Sequence, residues 1–186
     1  MKPQRLASIL APMKALIVYE SMYGNTHAVA DVVAEGIGAA VEVDVRPVHA
    51  VRTVPADLDL LLVVGPTHMH GLSTAMSRSM AASAAKEDAG KLAPGATEQP
   101  GLREWLRDLN APRGARAAAF DTRGDACAAP TSSAARGIAR RLRRRGLDVI
   151  DRQSFLVADA EGPLEDGELA RARAWGESLG AAYAAS

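Results

Sequence analysis

The sequence predicts a three-layer, doubly wound α/β sandwich with a five-stranded parallel sheet in the order 2-1-3-4-5. Three observations predict it. Short, nearly uninterrupted apolar runs alternate along the chain with segments of helical periodicity. The connections between them are short, which calls for right-handed crossovers and helices on both faces of the sheet. Hydrophobic residues make up 48% of the 186 positions, enough for one substantial core at the usual length of a single domain.

The elements follow in order. Lys14 to Tyr19 is an apolar run of strand formers, the pattern of a parallel strand covered on both faces. From Thr26, Val29, Val32, Val33, Gly36 and Ile37 recur at helical spacing, with Asp31 and Glu35 off that face. Val41 to Val45 alternates apolar and acidic residues as an edge strand does, and Leu58 to Val64 is a second buried run ending at Gly65-Pro66. Leu72, Met76 and Met80 fall four apart and predict a second helix, followed by a polar, Gly/Pro-punctuated stretch from Lys86 to Gly101 that reads as a mobile loop. Leu102, Trp105, Leu106 and Leu109 make an i, i+3, i+4, i+7 stripe, and Ala115 to Phe120 reads as the fourth strand. Thr131 to Arg145 predicts an Arg-rich helix closed by Gly146 in a left-handed C-cap. Leu147 to Ile150 and Ser154 to Val157 read as two pieces of the fifth strand, and Glu168 to Tyr183 as the last helix. Residues 1–12 are expected to be a disordered leader, and 13–186 a single domain.

Composition narrows the functional classes. Lys plus Arg equals Asp plus Glu, 22 of each, so no overall field draws the chain to nucleic acid or an acidic membrane. No apolar run reaches the roughly 20 residues that span a bilayer, and the first residues make no secretory signal. Cys127 is the only cysteine, and no Cys/His spacing resembles a zinc site; both fit a reducing, cytoplasmic setting.

In an open sheet of this order, ligands bind beyond the carboxyl ends of the strands, at the switch point between the first and third. The loops at 20–26, 65–73 and 121–130 are therefore the candidates. Ser21-Met22-Tyr23-Gly24-Asn25-Thr26 lies between a strand and a helix, where a phosphate meets backbone N–H groups and the positive end of a helix dipole. Ser21, Asn25 and Thr26 offer side-chain donors, and Gly24 permits a tight or left-handed turn. The alternative use of these residues is to cap the helix. A nucleoside-triphosphate loop of the G-x-x-x-x-G-K-[ST] type is absent, and Gly36-Ile37-Gly38 falls at the end of the helix, where a dinucleotide fingerprint does not belong. No G-x-S-x-G elbow or nucleophile–base pair supports a hydrolase.

Tyr19-Glu20-Ser21-Met22-Tyr23-Gly24-Asn25-Thr26 resembles the phosphate loop of flavodoxins and flavodoxin-like quinone reductases, and Val64-Gly65-Pro66-Thr67-His68-Met69-His70-Gly71 resembles their second flavin loop. The segment from Phe120-Asp121-Thr122-Arg123 through the Arg-rich helix to Gly162-Pro163-Leu164 is similar to small actinobacterial flavodoxin-domain proteins. The resemblance extends from about Lys14 to Tyr183 and implies one flavodoxin-like domain with FMN as cofactor. It implies FMN contacts at Ser21 through Thr26, at Pro66, Thr67, His68, Met69, His70 and Gly71, and at Asp121, Thr122 and Arg123, with no catalytic side chain and no metal. The aromatic side chains that commonly flank the flavin in this family are replaced here by His68, Met69, His70 and Arg123.

The resemblance implies electron transfer, with a redox partner protein or with NAD(P)H and a quinone; an NAD(P)H-dependent quinone or flavin reductase, and a non-enzymatic module without tight FMN, are the alternatives. Homodimerisation stays open. His68 and His70 lack the third ligand a metal would need, and a loop histidine is ordinarily solvated. Cys127 reads as inert packing unless its pKa is lowered. Arg136, Arg140 and Arg144, thickened by Arg141, Arg143 and Arg145, make either a solvated helix face or a dock for an acidic redox partner or the phosphate of NADPH.

Overall fold

The computed structural model describes residues 13–38, 41–68, 71–84, 92–124, 133–159 and 161–184. The expected leader, Met69, His70, Cys127 and the first residues of the 86–101 stretch lie outside them. β1 (Met13–Tyr19) pairs in parallel with β2 (Val41–Pro47) on one side and β3 (Leu60–His68) on the other. A two-residue strand, β4 (Gly71–Leu72), returns antiparallel along the end of β3. Beyond β3 come β5 (Arg116–Gly124) and β6 (Asp148–Val157), again parallel, so the sheet runs β2-β1-β3-β5-β6. This is the predicted order once the short β4 is left aside.

Side-chain alternation assigns each face of the sheet its helices. Ala15 and Ile17 of β1 point to one face, with Leu62, Val64, Phe120 and Phe155; α1 (Asn25–Ile37) and α5 (Glu168–Ala184) cover them with Val29, Val33, Ile37, Ala172, Trp175 and Leu179. Leu16 and Val18 point to the other, with Leu61, Val63, Ala117 and Ala119, under α3 (Leu102–Asp108) and α4 (Ala134–Arg144). The predicted stripe Leu102, Trp105, Leu106 and Leu109 is buried there, and the Trp105 indole N–H donates to the Val51 carbonyl at 2.7 Å. Gly146 has φ +86 after α4, as its C-cap role requires.

α1 and α5 approach more closely than side chains allow. A methyl group on Gly36 would lie 2.3 Å from the Arg173 carbonyl oxygen, and one on Gly176 2.4 Å from that of Val33. Gly180 meets the Ile37 carbonyl in the same way. Three glycines thus set the distance between the helices.

Four expectations change. The helix α2 (Ala75–Ala84) starts after Leu72, which is buried within β4, while Met76 and Met80 are 74% and 67% exposed. The side chain that α2 buries is Arg78. Asp121, Thr122 and Arg123 continue β5 instead of opening a loop, because Ser154, Phe155 and Leu156 of β6 pair with them. The two predicted pieces of the last strand are one strand: a register shift opposite Ala117/Ala118 lets Ile150 bulge, and the intervening Asp151 and Arg152 are exposed on the edge. Finally, residues 92–101 are held in place: the Ala93 N–H donates to the Met22 carbonyl at 2.7 Å, and Gln99 accepts from Arg78.

Candidate functional site

The carboxyl ends of β1, β3 and β5 converge, with Tyr19 beside Val64 and Gly65 beside Asp121. The chain leaves β1 at Glu20, whose N–H still donates to the Val64 carbonyl, and turns through Ser21–Gly24 into α1. Gly24 is the N-cap at φ +90, a left-handed conformation that explains why glycine stands there. No side chain fills the cap, and a methyl group on Gly24 would meet nothing within 4 Å. The Ser21 hydroxyl accepts from the Gly24 N–H at 3.1 Å and, at 3.4 Å, from the His27 N–H, which folds the turn around that oxygen. Among the described residues, the N–H groups of Tyr23, Asn25 and Thr26 have no acceptor. The turn thus presents free amide donors at the positive end of a 13-residue helix beside open space.

The other predicted residues divide in role. Met22 is fully buried and serves the loop through its backbone. The Asn25 amide donates to the Glu161 carbonyl at 3.0 Å and ties the turn to the segment before α5. The buried Thr26 and Thr122 hydroxyls bond at 2.8 Å, joining the first segment to the third. Thr67 donates to Asp121 Oδ2 at 2.7 Å and accepts from the Ala134 N–H at 2.8 Å. Asp121, wholly buried, also takes the Ala135 N–H at 3.0 Å, so this pair fastens the start of α4 between β3 and β5. Asp121 Oδ1 is buried without a partner among the described residues. Pro66 and His68 stand at the end of β3, Gly71 opens β4, and Arg123 lies near the end of β5.

Sequence reasoning passed over the polar cluster beneath this surface. Glu20 is buried; its Oε1 accepts from the Ser73 hydroxyl, and its Oε2 takes the Leu102 N–H at 2.6 Å. Arg78, 2% exposed, donates to Ser73 Oγ at 3.2 Å, Gln99 Oε1 at 3.1 Å and Glu104 Oε2 at 3.0 Å. Its guanidinium stands 3.9 Å from Glu20. A methyl group on Gly101 would fall 2.0 Å from Arg78 Nη1, so glycine makes room for the cation. One signal in the sequence pointed here: a carboxylate, Glu20, directly after an apolar strand. His68 borders the cluster. Burial pushes its imidazole below the ordinary histidine range; Glu20 opposes that effect and Arg78 adds to it. Its Nε2 is buried without a hydrogen-bond partner among the described residues.

Residues 16–85 match the family model described as Flavodoxin domain, the segment that holds the turn, β3 and all of α2. The chain has the flavodoxin-like fold. The flavodoxin-like fold also recurs in solved structures. A flavodoxin from the domain Archaea superposes with a TM-score of 0.58 at 20% identity, covering 91% of this chain and 98% of that one. The Streptococcus pneumoniae TIGR4 flavodoxin gives 0.55 at 21%, over 91% and 99%. A mutant of the Pseudomonas aeruginosa flavodoxin gives 0.61 at 18%, over 91% and 98%. No curated protein matches the flavodoxin-like chain. Among its described residues no helix is long and apolar enough to cross a membrane, and no group of three or more metal-ligating side chains occurs.

Proposed function

We propose that this flavodoxin-like protein binds FMN at the convergence of β1, β3 and β5 and takes part in electron transfer. One observation carries the reading: the turn at Gly24 presents free N–H groups of Tyr23, Asn25 and Thr26 at the uncapped start of α1, with open space in front of Gly24. That donor set fits a dianionic phosphate monoester, for which amides and a helix dipole suffice without a lysine. The Thr26 hydroxyl and the turn-shaping Ser21 complete the cradle.

The ends of β3 and β5 would flank the ring, with Pro66, Thr67 and His68 on one side and Thr122 and Arg123 on the other. The orphaned Nε2 of His68 is a polar atom still available to such a ligand. When bound, the isoalloxazine supplies the one- and two-electron chemistry. The protein orients it, excludes water from one side and sets the charge around it. His68 contributes a neutral imidazole, since burial disfavours its protonated form.

The test is redox competence. Protein reconstituted with FMN and reduced with dithionite should pass electrons to a one-electron acceptor such as cytochrome c in stopped flow. Efficient NADPH-driven quinone turnover would assign a reductase instead, and a chain that takes up no FMN has neither role.

A further inference from the structure

We propose that the arginine groove between α4 and β6 binds a small molecule carrying a diphosphate group. Arg136, Arg140, Arg143 and Arg144 of α4 and Arg152 of β6 line an open groove of about 690 Å³. No acidic side chain contributes to that lining among the described residues, although the protein as a whole carries equal numbers of acids and bases. Arg140, Arg144 and Arg152 make no side-chain ion pair or hydrogen bond among the described residues, so their charge is unspent. Arg143 reaches across to the Val149 carbonyl at 3.4 Å, which holds its guanidinium along the groove.

A solvated helix face does not account for this arrangement. Cations at the carboxyl end of a helix are favoured by its dipole, which explains Arg143 and Arg144. The same dipole disfavours Arg136 in the first turn, which itself contains no acidic residue. Arg136, Arg140 and Arg144 also stand at i, i+4 spacing, where like charges repel. The repulsion is felt nearby: burial lowers the pKa of Arg141, and Arg103, Arg140 and Arg144 lower it further. Arg152 comes from a separate element, so two elements converge on one positive concavity.

The size and chemistry of the groove select its occupant. A concavity of several hundred Å³ suits a small ligand rather than the flat contact of a protein partner. Planar guanidinium forks bond phosphate oxygens in pairs, and five of them match a ligand with more than one phosphate. No aromatic side chain lines the groove among the described residues, so it reads phosphates and not a base.

Calorimetric titration of the full chain with inorganic pyrophosphate and with ADP, with and without saturating FMN, tests this. Binding of both at low salt, weakening as salt rises and unaffected by FMN, is expected. Similar affinities identify the diphosphate group alone as the recognised unit; a tenfold preference for ADP assigns a nucleotide as its source. The double substitution Arg140→Ala with Arg144→Ala should weaken binding at least tenfold, whereas Arg107→Ala on α3, outside the groove, should change nothing. The proposal is overturned if the double variant binds like the unmodified protein, or if neither diphosphate binds at millimolar concentration. It is equally overturned if FMN abolishes binding, which places the diphosphate at the Gly24 turn, or if only polyglutamate binds, which assigns the face to an acidic polypeptide.

Discussion

Glu20 and Arg78 share the hydroxyl of Ser73, which donates to the carboxylate and accepts from the guanidinium at 3.2 Å. Both are buried, and Glu20 is the residue at which the chain leaves β1 for the turn, so a buried ion cluster adjoins the candidate site. Removing one member of a buried pair leaves an uncompensated charge, at a cost of about 3–5 kcal/mol. Arg78→Met should therefore lower the stability measured by urea denaturation by about that amount. The double variant with Glu20→Gln should recover part of the loss; an unaltered midpoint for Arg78→Met alone would refute the cluster's role.

Two glycine substitutions should move stability in opposite directions. Gly176→Ala places a methyl group 2.4 Å from the Val33 carbonyl oxygen and forces α1 and α5 apart, costing about 1–3 kcal/mol. Gly137→Ala on α4 meets its nearest atom, the tip of Arg141, at 3.4 Å and should add up to about 1 kcal/mol through helix propensity. Thermal melts of the two variants decide the matter.

The hydroxyls of Thr26 and Thr122 join the first and third segments of the site. Thr26→Val keeps the shape and strands the Thr122 hydroxyl, which should cost about 1–3 kcal/mol. Chemical denaturation measures that loss, and FMN titration of the same variant should show weaker binding.

His68 should stay neutral to a lower pH than a free imidazole does. Its folded pKa is lowered, so the unfolded chain takes up the proton first as pH falls below about 6.5. The neutral imidazole therefore carries no penalty above that value, and stability should decline as the pH drops beneath it. Long-range ¹⁵N–¹H spectra of the imidazole report the titration, and His68→Gln should flatten that part of the stability profile. An ordinary histidine midpoint would show that burial does not govern this side chain.

The fold was readable because its central strands are buried on both faces: Lys14 to Tyr19 and Leu58 to Val64 cannot be amphipathic, and their apolar runs mark them. The stripe from Leu102 to Leu109 was legible for the converse reason, since α3 buries only one side. Periodicity misled at α2, where Met76 and Met80 mimic a core stripe while the buried side chain is a cation that hydropathy assigns to solvent. The Gly24 turn was visible in the sequence because its chemistry is local. The Glu20–Arg78 cluster was not, because Leu102 and Glu104 reach it from more than twenty positions beyond Arg78. The end of β5 was hidden for a similar reason: Asp121 and Thr122 look like loop residues until Thr67 and Thr26 supply their partners.

A turn at Gly24 that grips a phosphate, as proposed, must distinguish FMN from riboflavin, which lacks that group. Fluorescence titration of the purified chain, stripped of any flavin, should give an FMN dissociation constant at or below about 1 μM, with riboflavin bound at least tenfold more weakly. Equal affinity for the two flavins, or no quenching by FMN at concentrations of about 100 μM, would contradict it.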